Sequence, residues 1–244
     1  MVSLGTSSSQ RKLNNGEEIN EMFFNDRKHA GKELGQKLET KYKRFNPLVI
    51  GIPRGGVEVA YYVAKQLNAE LAIIVSKKLP LPTQREFGIG AIAEEHSVYI
   101  SKIGKELLSP KVIDQIIEEQ MEEVDRRVMK YRSGKALPDM QGRTVIIVDD
   151  GIATGVTLVP VLQLCRKKEA SMIIIAAPVS GTEFDDNLKE ADAIEILTKP
   201  TNYYAVGQVY NTFEDFPDES LIRLLHLAEE ERNRNSNRFL PPVG

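Results

Sequence analysis

The chain is poor in the residues from which covalent or metal-bound frameworks are made. Its single cysteine, Cys165, excludes an internal disulfide and points to a reducing compartment. Three scattered histidines (His29, His96 and His226) add nothing from which a thiolate-type zinc site could be built. An excess of charge of one sign is missing as well. Lys and Arg number 32 against 35 Asp and Glu, a net −3, which disfavours a dedicated nucleic-acid binder. The longest apolar runs, residues 172–179 and 145–148, fall far below the ~18 residues of a membrane span. Residues 1–15 are rich in Ser and Asn without an apolar segment, so they do not read as a secretory signal. The expected setting is cytoplasmic, with residues 1–15 and 233–244 as loose ends.

What is present is ordinary for a soluble globular protein: 244 residues, 41% hydrophobic and 27% charged. That length suits one α/β domain over 16–232, since single cores stay viable to roughly 250 residues. Apolar runs of strand length alternate with helical periodicities. Residues 48–52 form a β-rich run, then Pro53-Arg54-Gly55-Gly56, then Val57, Ala60, Tyr61 and Ala64 at helical spacing. Residues 71–75, 142–148, 172–178 and 193–197 read as further buried strands. Ser109 and Pro110 open a helix whose buried stripe holds Ile113, Ile116, Ile117, Met121, Val124 and Val128. Asp218 is read as the cap of a last helix carrying Leu221, Leu224 and Leu225. Residues 77–95 break the rhythm with Pro80, Pro82, Gly88 and Gly90, and predict a long mobile loop before a hairpin strand near 97–101. The alternation predicts an α/β fold with a parallel sheet, helices on both faces, and ligands beyond the carboxyl ends of the strands.

Two loops lie at such ends. In Val145-Ile-Ile-Val-Asp149-Asp150-Gly-Ile-Ala153-Thr154-Gly155-Val156-Thr157, adjacent carboxylates end a buried strand and a small-residue loop leads into a helix. Backbone N–H groups and threonine hydroxyls at that helix start suit an anion, while the acids suit hydroxyls or a hydrated metal ion. A sugar phosphate offers both chemistries. In the other loop, Arg54 with Gly55 and Gly56 offers a guanidinium and backbone donors to pyrophosphate. Lys77 and Lys78, just past the second strand, add positive charge. Gly88 to Ala93 spells a dinucleotide fingerprint but follows a proline-rich stretch rather than a buried strand, and 153–157 lacks the Gly-Lys-Ser/Thr of a Walker loop.

The thirteen-residue pattern resembles the motif with which type I phosphoribosyltransferases bind 5-phosphoribosyl 1-diphosphate (PRPP). The resemblance extends to Asp26-Arg-Lys-His-Ala-Gly31, the Arg54 loop, Gly88 to Glu94 and Tyr204 to Gln208, and covers about residues 20–230. These match a bacterial and archaeal group of phosphoribosyltransferases without a generally defined base acceptor. The resemblance implies that Asp149 and Asp150 hold the ribose hydroxyls and, through water or through those hydroxyls, a Mg²⁺ ion. In that reading Ala153, Thr154, Gly155, Val156 and Thr157 hold the 5′-phosphate. Arg54, Gly55 and Gly56 would meet the pyrophosphate across a strained peptide bond.

The implied reaction joins PRPP to a nitrogenous base, with Asp149, Asp150 and Arg54 as its central residues. The 77–95 loop would close over the site, with hood elements from the N-terminal and 180–215 segments; Tyr203 and Tyr204 would either stack on the base there or be packed core aromatics. Position 153 is alanine, where 6-oxopurine enzymes usually carry an aspartate that assists the base. A hypoxanthine or guanine acceptor is therefore less favoured, and Glu86, Glu94 and Glu95 become the alternative acid–base candidates. Neither nucleic acid nor membrane is an expected partner, and a homodimer fits the reading. The rival is a PRPP- or nucleotide-sensing regulator of the same fold without turnover.

Overall fold

The chain enters its main sheet at an interior strand and builds outward to both sides. The computed structural model describes residues 9–14 and 17–238. An antiparallel hairpin comes first, β1 (Ser9–Asn14) with β2 (Glu17–Met22), so part of the stretch read as a loose N-terminus is paired strand. Helix α1 (Arg27–Tyr42) follows, capped by the Asp26 side chain, which accepts from the His29 backbone N–H at 2.7 Å. Then come β3 (Leu48–Gly51), α2 (Gly55–Leu67) and β4 (Glu70–Ile73). Strands β5 (Ser76–Leu81), β6 (Gln84–Ala93) and β7 (Ser97–Ile100) precede α3 (Lys102–Leu107) and α4 (Pro110–Arg132). The chain returns through β8 (Thr144–Val148), α5 (Val159–Lys167), β9 (Met172–Val179), β10 (Ala193–Thr198) and α6 (Asp218–Arg238).

The main sheet has five parallel strands in the order β10-β9-β8-β3-β4. Its central strands are apolar on both faces because both faces are covered. Val49, Ile146 and Ile174 meet Leu34 and Leu38 of α1 and Val59 and Val63 of α2. Ile50, Ile147 and Ile175 point the other way, onto Leu158, Val161, Leu162 and Cys165 around α5. Cutting one of these side chains to alanine costs about 2–5 kcal/mol, since packed interiors relax little around a cavity. Among the described residues no helix is long and apolar enough to cross a membrane.

Three expectations need correction. Residues 77–95 are not an open loop but most of a three-stranded antiparallel sheet, β5-β6-β7. Leu79, Ile89 and Ile92 are buried against Ile113, Met121 and Val124 of α4, and that apolar face holds the strands. Register shifts around Leu79, Pro80 and Leu81 accommodate the proline that local rules set against pairing. The last helix begins at Asp218 itself and runs to Arg238, past residue 233 where a loose end was expected. The Asp218 carboxylate does not cap it: it accepts from Lys130 Nζ at 2.5 Å and from the Tyr131 hydroxyl at 2.7 Å. Both partners lie on α4.

Candidate active site

The strand order dictates where a ligand can sit. From β3 the chain steps to β4 on one side, and later returns to β8 on the other. The carboxyl ends of β3 and β8 therefore flank a topological switch point, where the following loops diverge and leave a crevice. The two loops that carried the chemistry in the sequence leave these neighbouring ends. Ile52 N–H donates to the Val148 carbonyl at 3.0 Å, which seats one loop directly on the other.

The glycines make the approach tight. A Cβ on Gly55 would collide with Asp150 Oδ2 and lie 2.7 Å from Arg27 Nε. A Cβ on Gly56 would lie 2.7 Å from Asp149 Oδ1. Only residues without a side chain let the start of α2 rest against both carboxylates. The Pro53–Arg54 peptide bond ahead of them is cis. Arg54 stays 40% exposed, its Nη2 3.7 Å from Asp215 Oδ1.

The acids are anchored from several directions. Asp149 N–H donates to the Ala176 carbonyl at 3.2 Å, and Asp150 N–H donates to Asp149 Oδ1 at 2.9 Å. Tyr210 donates its hydroxyl to the Asp150 carbonyl at 2.7 Å. Burial, with the charge of Asp150 beside it, pushes the Asp149 carboxyl well above the usual range. Burial also raises Asp150, opposed by the Arg27 guanidinium.

The 153–157 loop follows the acids with the Thr154, Gly155 and Thr157 carbonyls tied down. Gly155 has φ +72°, and a Cβ there would sit against Leu188, 3.2 Å from Ile152 Cγ2. Asp185 N–H donates to the Thr154 carbonyl at 2.9 Å, and Ser76 Oγ donates to the Thr157 carbonyl at 2.7 Å. The Tyr99 hydroxyl donates to Asp185 Oδ2 at 2.9 Å, so β7 braces the same loop from behind. Helix α5 starts at Val159, two residues after the loop. This arrangement can hold hydroxyls or a cation on the Asp149 and Asp150 side and anions on the amides and on Arg54.

Other expected residues fall elsewhere. Lys77 Nζ faces Glu123 Oε1 on α4 at 3.6 Å, and burial lowers its pKa against the pull of that carboxylate. The Lys78 stem lies over Gly88, where a Cβ would come 2.6 Å from Lys78 Cδ. Glu94 is buried, accepting from the Val75 N–H at 2.8 Å and from Arg132 Nη2 at 2.5 Å, and burial raises its pKa. Glu95 pairs with Lys168 Nζ at 2.7 Å. Both carboxylates already have partners outside the crevice, and the Glu86 side chain lies outside the described residues.

Tyr204 is 83% exposed, whereas Tyr203 packs with Phe24, Val179 and Tyr210. The Tyr203 hydroxyl finds no partner among the described residues, and burial, with Asp150 and Asp149 nearby, pushes its pKa to about 12.

Sequence reasoning missed Arg27. It is 8% exposed, and its Nε donates to Asp150 Oδ2 at 2.7 Å. A signal was available. Arg27 falls in register with Ala30, Leu34 and Leu38 on the buried stripe of α1, where an arginine requires a partner.

Comparison with known proteins gives the family. The family model of a phosphoribosyl transferase domain matches residues 25–211. A Mycobacterium tuberculosis protein named a phosphoribosyl transferase, known from two strains, is 34% identical over 212 residues, 86% of this chain and 48% of the relative. The chain thus spans about half the length of the curated relatives it matches. The crystal structure of TT1426 from Thermus thermophilus superposes with a TM-score of 0.72 at 30% identity, covering 84% of this chain and 98% of that one. Since the family model spans residues 25–211, the Arg54 loop, both acids and the 153–157 loop among them, the chain belongs to the phosphoribosyl transferase domain family.

Proposed function

We propose that the protein is a Mg²⁺-dependent phosphoribosyltransferase that moves the 5-phosphoribosyl group of PRPP onto a nitrogenous base and releases pyrophosphate. The observation that carries this reading is the glycine cradle, in which Gly55 and Gly56 rest on Asp150 and Asp149 at the switch point of the sheet. It brings acids for hydroxyls within one residue of a guanidinium loop for pyrophosphate. The 153–157 loop, a third corner, offers N–H groups to the 5′-phosphate.

In the reaction the bond from ribose C1 to the diphosphate oxygen breaks and a bond from C1 to a base nitrogen forms, with positive charge developing at C1. Asp149 and Asp150 orient the sugar, and Arg54 with the amides of Gly55 and Gly56 neutralises the leaving group. Magnesium takes oxygen donors, commonly one or two carboxylates completed by substrate phosphates. Asp149 and Asp150 are such donors, and among the described residues no group of three or more ligating side chains closes a cage. When bound, the ion supplies charge neutralisation for the diphosphate. The β5–β6 hairpin is the element we assign to closing over the site and excluding water.

Alanine at 153 takes no part in proton transfer, and Glu94 and Glu95 are engaged elsewhere. The acceptor must therefore give up its proton without a carboxylate from these positions, which favours bases that do not need one over 6-oxopurines.

The test is incubation with PRPP, Mg²⁺ and a panel of purine, pyrimidine and pyridine bases, following pyrophosphate release. Base-dependent release with at least one member is expected. PRPP binding without release for any base would make the protein a ligand sensor, and absence of PRPP binding would sink the reading.

A further inference from the structure

The buried start of α1 is the part of the crevice that the proposed reaction leaves unused. Arginines rarely bury their heads unless partnered, and Arg27 has three partners. Its Nε donates to Asp150 Oδ2 at 2.7 Å, and its Nη1 donates to the Glu214 carbonyl at 2.7 Å. Its Cζ lies 3.9 Å from the centroid of the Phe213 ring. Phe213 in turn stacks on Tyr210 with centroids 5.0 Å apart, and the Tyr210 hydroxyl holds the Asp150 carbonyl. The contacts form a closed circuit: Arg27 grips the Asp150 side chain, Tyr210 grips its backbone, and Phe213 fills the space between.

The circuit is fixed to the hood by the backbone. Phe24 N–H donates to the Val209 carbonyl at 2.8 Å, Asn211 N–H to the Phe24 carbonyl at 2.8 Å, and Thr212 N–H to the Asn25 carbonyl at 2.9 Å. Residues 24–25 and 209–212 are therefore tied together, with Arg27 at their junction.

We propose that Arg27 is a positioning residue for the sugar-binding acid. It fixes one oxygen of Asp150 and, through Glu214 and Phe213, fastens the 211–217 segment beside that acid. The inference rests on the phosphoribosyl reading of the site. An ionised carboxylate has about four acceptor positions, so one guanidinium bond leaves the others for sugar hydroxyls. The planar fork serves a carboxylate and a carbonyl at once while lying against a ring. A lysine ammonium keeps the charge but cannot reproduce that geometry.

Because Arg27 acts through Asp150 and makes no hydrogen bond or ion pair with the 153–157 loop or Arg54, its loss should affect the sugar but not the free diphosphate. The experiment is calorimetric titration of the full chain with PRPP and Mg²⁺, and separately with inorganic pyrophosphate in the absence of Mg²⁺. The proteins are wild type, Arg27→Lys, Arg27→Gln, Asp150→Asn and the double variant Arg27→Gln/Asp150→Asn. Arg27→Gln should weaken PRPP about tenfold or more, the scale of one lost charge-assisted hydrogen bond. Arg27→Lys should recover only part of this, and pyrophosphate affinity should hold within about twofold in both.

On the Asp150→Asn background, Arg27→Gln should add less than about twofold, since the partner it positions is already altered. Parallel losses of PRPP and pyrophosphate affinity, or losses that multiply in the double variant, would mean that Arg27 only supports the fold, and would overturn the proposal. If Arg27→Gln does not fold, Arg27→Lys decides the same split. Wild type that binds PRPP beside an unchanged Arg27→Gln removes the Arg27 role alone. Wild type that ignores PRPP removes the phosphoribosyl reading and the Arg27 role with it.

Discussion

The two sides of the crevice are built in opposite ways. On the β8 side Asp149 and Asp150 are surrounded by Arg27, Tyr210, the backbone of β9 and the bare faces of Gly55 and Gly56. On the β3 side Arg54 reaches into solvent and meets Asp215, itself 98% exposed, at 3.7 Å. The first is a preorganised cradle, in which burial has lifted the pKa of the acids and their geometry is set before a ligand arrives. The second is an adjustable arm. The proposed reaction, which holds a sugar still while releasing a charged leaving group, gains from this division. Orientation requires rigidity, whereas product release requires contacts that yield.

The largest effect that would break this contrast lies in the cradle. Gly55→Ala places a methyl group against Asp150 Oδ2 and 2.7 Å from Arg27 Nε, so the pair has to part. PRPP affinity by calorimetry should fall about a hundredfold, the scale of overpacking a tight contact, while circular dichroism stays native. An affinity within a few-fold of wild type would show that the cradle is not needed.

A smaller effect concerns stability. The Asp149 carboxyl is raised above the ordinary carboxylate range by burial and then by the charge of Asp150, so folding favours its protonated form. The stability this gives is complete below the unfolded value. It is lost as pH rises through the folded value, leaving the ionised acid a burden at neutral pH. Asp149→Asn keeps an oxygen for the Asp150 N–H and should melt several degrees higher than wild type near pH 7.5. The difference should vanish below about pH 4. A variant that melts lower at neutral pH would contradict the assignment of Asp149 as an acid kept at a cost to stability.

The smallest effect belongs to the arm. An exposed pair at that distance contributes at most about 1 kcal/mol. Asp215→Asn should therefore tighten inorganic pyrophosphate binding by less than about fivefold, and high salt should erase the gain. A change of tenfold or more would mean that the β3 side is as preorganised as the β8 side.

How much of this was legible follows the same division. The strand ends could be read because a run such as residues 144–148 is almost wholly apolar, and the two acids immediately after it break that run. The spacing from Asp149 to Thr157 carried the candidate anion loop for the same local reason. Long-range placement was not legible. Nothing in residues 48–51 says that residues 145–148 pair beside them, and that pairing creates the switch point.

The β5–β6 hairpin was obscured because Pro80, Pro82, Gly88 and Gly90 are turn formers by local rule. Their strands are held by a buried face against α4, which overrides that rule. Arg27 was obscured because a charge at a helix start ordinarily faces water. Glu94 resembled a free acid in a loop, whereas its partner Arg132 is 38 residues distant.

The most direct test of the crevice is a crystal structure of the protein with PRPP and Mg²⁺. The expected result has the ribose hydroxyls on Asp149 and Asp150, the 5′-phosphate on the amides of residues 153–157, and the diphosphate at Arg54, with the Arg27–Asp150 contact retained. PRPP bound away from the β3 and β8 ends, or with its sugar clear of Asp149 and Asp150, would contradict it.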